Sequence, residues 1–86
     1  MNPKKLFERM ASGAFNNVAF GDLTRLLEAL GFRPMRIEGS HHIYAKDGVR
    51  EQLNLQPDRN GQAKAYQVRQ VQRLVEKYDL DLEVES

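Results

Sequence analysis

The chain has 86 residues, 41% hydrophobic and 29% charged, with 6 glycines, 3 prolines, no cysteine and a formal net charge of +1. A chain this short buries only about 60–65% of the surface its unfolded form exposes, so it supports one core. The absence of cysteine excludes disulfides, thiolate nucleophiles and Cys-rich zinc sites. No apolar run approaches the roughly 18 residues of a membrane span. MNPKKLFERMASGAF, interrupted by Glu8 and Arg9, lacks the apolar stretch of a secretory leader. The expectation is a soluble, cytoplasmic, single-domain protein that makes no membrane contact.

Asn2 is placed to cap a short first helix, Pro3 suits its first position, Leu6, Phe7 and Met10 form its apolar stripe, and Gly13 ends it. Residues 14–19 read as a connector whose Phe15 and Val18 tuck against the core. The strongest helical signal follows over about 20–30. Leu23, Leu26, Leu27 and Leu30 fall at i, i+3, i+4 and i+7, Asp22 lies near the N-terminus, and Gly31-Phe32 supplies the stop.

Three strands come next. Met35 and Ile37 alternate with Arg36 and Glu38, and Gly39-Ser40 forms a tight turn. His41, Ile43 and Ala45 then share one face, and His42, Tyr44 and Lys46 the other. Asp47-Gly48 predicts a type I′ hairpin into VREQLNLQ, whose Leu53 and Leu55 point one way. This is an antiparallel meander with one face buried. Pro57 ends it, DRNGQAK is a polar loop, and a last helix runs from about Ala65 to Tyr78 on Val68, Val71, Leu74 or Val75, and Tyr78. The fold class is α+β: α-β-β-β-α with two helices on one face of a three-stranded sheet, behind a short N-terminal helix. That layout is similar to double-stranded-RNA-binding domains.

From Glu76 to Ser86 five acids oppose one base, a net −4, so residues 1–75 carry +5. A basic body with an acidic tail suits an anionic partner such as nucleic acid, but also an ordinary solvated surface. The Gly39-Ser40-His41-His42 turn is the most unusual feature. Adjacent strand residues point to opposite faces, so the two histidines do not chelate one metal together, and no metal or cofactor is expected. An imidazole beside an anion-binding surface suits proton transfer on RNA. Local spacing alone favours the plainer arrangement over catalysis, with one histidine packed at a sheet edge and the other in solvent.

LTRLLEALGFRPMRIEGSHHIYAKDG resembles the centre of the HicA family of bacterial toxins, in which a leucine-rich helix ends in Gly-Phe and a Gly-Ser-His turn opens the second strand. LNLQP…AYQVRQVQRLVEKYDL resembles that family's third strand and closing helix. The resemblance covers about residues 20–80, leaving 1–19 as an N-terminal extension with a short helix and 81–86 as an acidic tail. It implies a ribosome-independent mRNA endonuclease, neutralised by a cognate HicB-type antitoxin. His41 carries over as the catalytic histidine, with Gly39 and Ser40 as the turn presenting it; His42 is given no role. Many members place a further His in or after the third strand. Here the chain reads Leu53-Asn54-Leu55-Gln56-Pro57, with only 2 histidines in total, so a second proton-transfer group is unidentified.

Arg69, Arg73 and Lys77 recur every four residues along the last helix, with Lys64 at its start. They suit phosphate contacts or a solvated helix face in equal measure. Tyr44 and Tyr66 are placed in the core or at its edge rather than as base-stacking platforms.

Overall fold

The computed structural model describes residues 1–83. In chain order it has α1 (Pro3–Ala11), α2 (Phe20–Ala29), β1 (Arg33–Glu38), β2 (His41–Ala45), β3 (Leu53–Leu55) and α3 (Ala65–Tyr78). The strands form an antiparallel sheet in the order β1-β2-β3.

Each helix starts and stops where its sequence directs. The Asn2 side chain accepts from the Lys5 N–H at 2.8 Å, and Pro3 takes the first helical position of α1, where its missing N–H costs nothing. No side chain caps α2; Asp22 in its first turn instead pairs with Arg25 and, at 3.3 Å, with the N-terminal ammonium. The α2 C-terminus closes by a Schellman motif: Gly31 N–H donates to the Glu28 carbonyl at 3.0 Å and Phe32 N–H to the Leu27 carbonyl at 2.9 Å. Gly31 has φ +95°, and Phe32 folds back buried onto the last turn. Leu6, Met10, Leu23, Leu26, Leu27, Leu30, Leu53, Leu55, Val68 and Val71 are all 0% exposed and belong to one core cluster. The α1 stripe is therefore part of the same core as α2, α3 and the sheet.

The strand alternation follows the sequence. Tyr44, Leu53 and Leu55 join the core cluster and face the helices, whereas Ile43 lies outside that cluster, between Arg36 and Asn54 of the neighbouring strands. Glu38 pairs with His41 across Gly39-Ser40, and the positive φ of +63° at the first turn residue alone is the type II′ pattern.

Two expectations are corrected. β1 is exposed at all six positions, with Met35 at 53% and Ile37 at 65%, and a bulge between Pro34 and Arg36 breaks its register. It is an edge strand that the helices do not cover, and Pro34 suits such an edge. Asp47-Gly48 does not make a two-residue hairpin. Val49 N–H closes a turn on the Lys46 carbonyl at 3.1 Å with positive φ at Gly48 but not at Asp47, as in a type II turn. The third strand is then only Leu53–Leu55, because Val49 leaves the ladder and plugs the core instead. The expected polar loop after Pro57 is held by its own hydrogen bonds. Asp58 Oδ1 accepts from Asn60 and Gln62 N–H at 2.8 and 2.9 Å, and bridges join Ala19 to Gln62 and Pro57 to Ala63.

The segment after α3 also packs back. Asp79 ends the helix at φ 53°, Leu80 and Leu82 lie against the core, Glu83 N–H donates to the Ala29 carbonyl at 2.7 Å, and its carboxylate pairs with Lys46. Val84 to Ser86, the rest of the expected acidic tail, lie outside the described residues.

Candidate active site

Gly39, Ser40 and His41 come together at the hairpin that enters β2. A side chain at Gly39 would meet nothing within 4 Å, so the turn backbone is open to a ligand. Ser40 Oγ accepts from Gln56 Nε2 at 2.9 Å. His41 is exposed, and its Nδ1 lies 2.9 Å from Asn54 Oδ1. The register explains the grouping: His42 pairs with Leu55 and Ile43 with Asn54, so Asn54 is diagonal to His41 on the sheet face away from the helices. His42 points to the other face, half-buried, its ring edge against Phe20 with centroids 4.9 Å apart and planes at 61°. The two imidazoles thus stand on opposite sides of β2, and no cluster of three metal-ligating side chains exists among the described residues.

The free edge of β3 is closed from α3. The buried Gln67 accepts from Gln56 N–H at 3.3 Å and donates to the Asn54 carbonyl at 3.5 Å, so its amide mimics a further strand. The same amide donates to the Tyr66 hydroxyl at 3.4 Å. This brings the first turn of α3, with Lys64 at the N-cap, beside the strand that bears Asn54. Tyr66 is 60% exposed, contrary to its expected packing, whereas Tyr44 is in the core, where burial, then the Glu28 carboxylate, push its hydroxyl pKa upward. Asn54, Gln56 and Gln67 were not singled out from sequence. Their signal is register: polar residues flanking Leu55 become neighbours of the His turn once β2 and β3 are aligned.

Tyr66, Arg69, Arg73 and Lys77 follow one another at spacings of three, four and four, which lines them along the solvent face of α3. They differ in what they already hold. Arg69 lies over the Phe15 ring at 5.3 Å. Lys77, about 20 Å along the helix from Lys64, donates to Glu51 at 2.6 Å, and Tyr78 OH donates to the same carboxylate at 2.5 Å. Those hydrogen bonds from Lys77 and then Tyr78 hold the Glu51 carboxyl down at about 2, and Glu51 in turn raises the Lys77 ammonium. Arg73 is exposed, with no ion-pair partner among the described residues. The structure therefore does not bring the arginine stripe onto the His41 face: α3 covers the opposite side of the sheet. The part of α3 tied to the strand bearing Asn54 is its first turn, through Gln67, beside Tyr66 and the N-cap Lys64. A groove of about 460 Å³ between α1, α2 and Leu82 includes none of the His41 cluster.

A protein-family profile described as "HicA toxin of bacterial toxin-antitoxin" matches residues 20–77. Comparisons with curated proteins and with solved structures give no match. The matched span runs from the start of α2 to the last turn of α3 and contains the whole His41 cluster. The chain belongs to the HicA toxin family, the toxins of toxin–antitoxin pairs, and an antitoxin is its partner.

Proposed function

We propose that this member of the HicA toxin family is a metal-independent mRNA endonuclease that works in the cytoplasm, with His41 as its proton-transfer group and a HicB-type protein as its antitoxin. The observation that carries the reading is the presentation of His41. The ring follows a glycine turn, stands exposed, and is tethered through Nδ1 alone, which leaves Nε2 open to substrate. Cleavage by transesterification needs a base to take the proton from a ribose 2′-OH. The 2′-oxygen then attacks phosphorus, the P–O5′ bond breaks, and the departing 5′-oxygen takes up a proton. The products are a 2′,3′-cyclic phosphate and a 5′-OH end. An imidazole serves either proton transfer near neutral pH, and the open backbone at Gly39-Ser40 lets a phosphate approach the main chain. Lys64, Arg69 and Arg73 supply cations for the flanking phosphates, with Lys77 at the far end of the track.

A second reading is an RNA-binding module without turnover. Its support is that the site holds one free imidazole, because His42 is packed on Phe20. A 2′-deoxy substitution at the scissile nucleotide separates the two, since it blocks transesterification but not binding. The decisive variant is His41→Ala. One exposed hydrogen bond is lost, so stability should fall by at most about 1 kcal/mol, while cleavage should drop by roughly 10²–10⁴ and growth arrest should disappear. A folded His41→Ala protein that cleaves RNA at the parental rate would refute the catalytic assignment.

A further inference from the structure

The contact between His41 and Asn54 has a direction set by its atoms. Asn54 Oδ1 is an acceptor only, so the imidazole Nδ1, 2.9 Å away, must be the donor. A neutral ring in that contact carries its proton on Nδ1 and keeps its lone pair on Nε2. The side chain nearest in the ladder is not a competitor. Glu38 is the direct cross-strand partner of His41, but its carboxylate accepts from Arg36 Nε at 2.6 Å. Asn54 itself projects from a pinned stretch of chain: Leu53 and Leu55 on either side are fully buried, and Gln67 bonds the Asn54 carbonyl and the Gln56 N–H. A ring that follows a glycine turn is thereby tied to the firmest strand residue within reach.

We propose that Asn54 is the positioning residue of the site: it holds His41 in the Nδ1–H tautomer and so designates Nε2 as the atom that exchanges a proton with RNA. The kinetic part rests on His41 being the proton-transfer group; the tautomer does not. Loss of the acceptor frees the ring to rotate and to adopt the Nε2–H form that an unconstrained imidazole prefers, which places the lone pair on the wrong nitrogen.

The test is a long-range ¹H–¹⁵N correlation spectrum of the imidazoles in uniformly labelled full-length protein without RNA, at a pH well above the ordinary imidazole range. His42 serves as an internal reference, since its environment at Phe20 is unchanged. The parent should show His41 protonated on Nδ1. Asn54→Leu should move His41, and not His42, toward the Nε2–H pattern and lower kcat by roughly 10–100-fold, the scale typical of losing a partner that orients an imidazole, with little change in KM. Asn54→Asp keeps an acceptor and discards the donor, so it should restore the Nδ1–H pattern. A parental His41 found in the Nε2–H form, or an Asn54→Leu tautomer identical to the parent's, overturns the inference. The tautomer readouts need no RNA, so they fail separately from the His41→Ala test of cleavage.

Discussion

Replacing Gly31 with alanine tests how α2 is joined to the sheet. Gly31 holds φ +95° as the residue after the helix cap, a conformation that costs an L side chain about 1–2 kcal/mol. A Cβ there would also collide with Glu83 Oε2 and with Lys46 Nζ. Both are ends of flexible side chains, so the ion pair would swing away rather than the backbone move, losing a contribution on the scale of an exposed pair, below about 1 kcal/mol. The Gly31→Ala loss should be about 1–3 kcal/mol, or a drop in Tm of roughly 4–8 °C per kcal/mol for a domain of this size. Gly48→Ala is the control. Gly48 has φ +88° but open space around a Cβ, so it reports the backbone cost alone. Thermal melts of Gly31→Ala, Gly48→Ala, and each combined with Glu83→Gln should show Gly31→Ala as the larger loss, with the excess shrinking once Glu83 is neutral. Equal losses at the two glycines would show that the Lys46–Glu83 pair does not sit over Gly31. A Gly31→Ala protein as stable as the parent would refute the Schellman stop itself.

Charge reversal at Arg73 should weaken RNA binding and flatten its salt dependence with almost no change in Tm, because Arg73 is exposed and unpaired among the described residues; an unchanged salt slope in filter binding would make the stripe a solvated face. Arg69→Glu should lower binding similarly but also cost about 0.5–1 kcal/mol through the lost Phe15 contact, so a melt separates the two arginines. Glu51 gives a pH signature. Its folded value of about 2 lies below the ordinary 4.5, so the stabilisation is present above 4.5 and is lost as pH falls from about 4.5 toward 2. The stability gap between the parent and Glu51→Gln should therefore be widest near neutrality and close by pH 2; a gap constant with pH would contradict the Lys77–Glu51–Tyr78 arrangement.

What was legible in the sequence was local. Asn2-Pro3, the four leucines and Gly31-Phe32 each act through neighbours one or two turns away, and each appears where its spacing puts it. The misjudged parts depend on tertiary cover. Met35 and Ile37 alternate as a half-buried strand should, yet the helices stop short of β1 and leave both exposed. Asp47-Gly48 has the composition of a two-residue hairpin, but the core at that end takes Val49 as a plug, and the loop lengthens to deliver it.

The site divides in the same way. The turn that carries His41 was legible because glycine, serine and histidine are contiguous. Its surroundings were not, because Asn54, Gln56 and Gln67 reach it only through strand register and a helix laid along the edge of β3. Charge shows the point most clearly. A net +5 over residues 1–75 counts every cation alike. In the folded chain Arg25 faces Asp22, Arg36 faces Glu38, Lys46 faces Glu83 and Lys77 faces Glu51, so these are already partnered. At the acidic end, the Glu83 carboxylate likewise pairs with Lys46. Along the α3 stripe, Lys77 holds Glu51 and Arg69 lies over Phe15, whereas Arg73 has neither a carboxylate nor a ring partner among the described residues. On the proposed reading, RNA held by those arginines and cleaved at His41 spans two faces of the domain, because α3 covers the side of the sheet opposite His41.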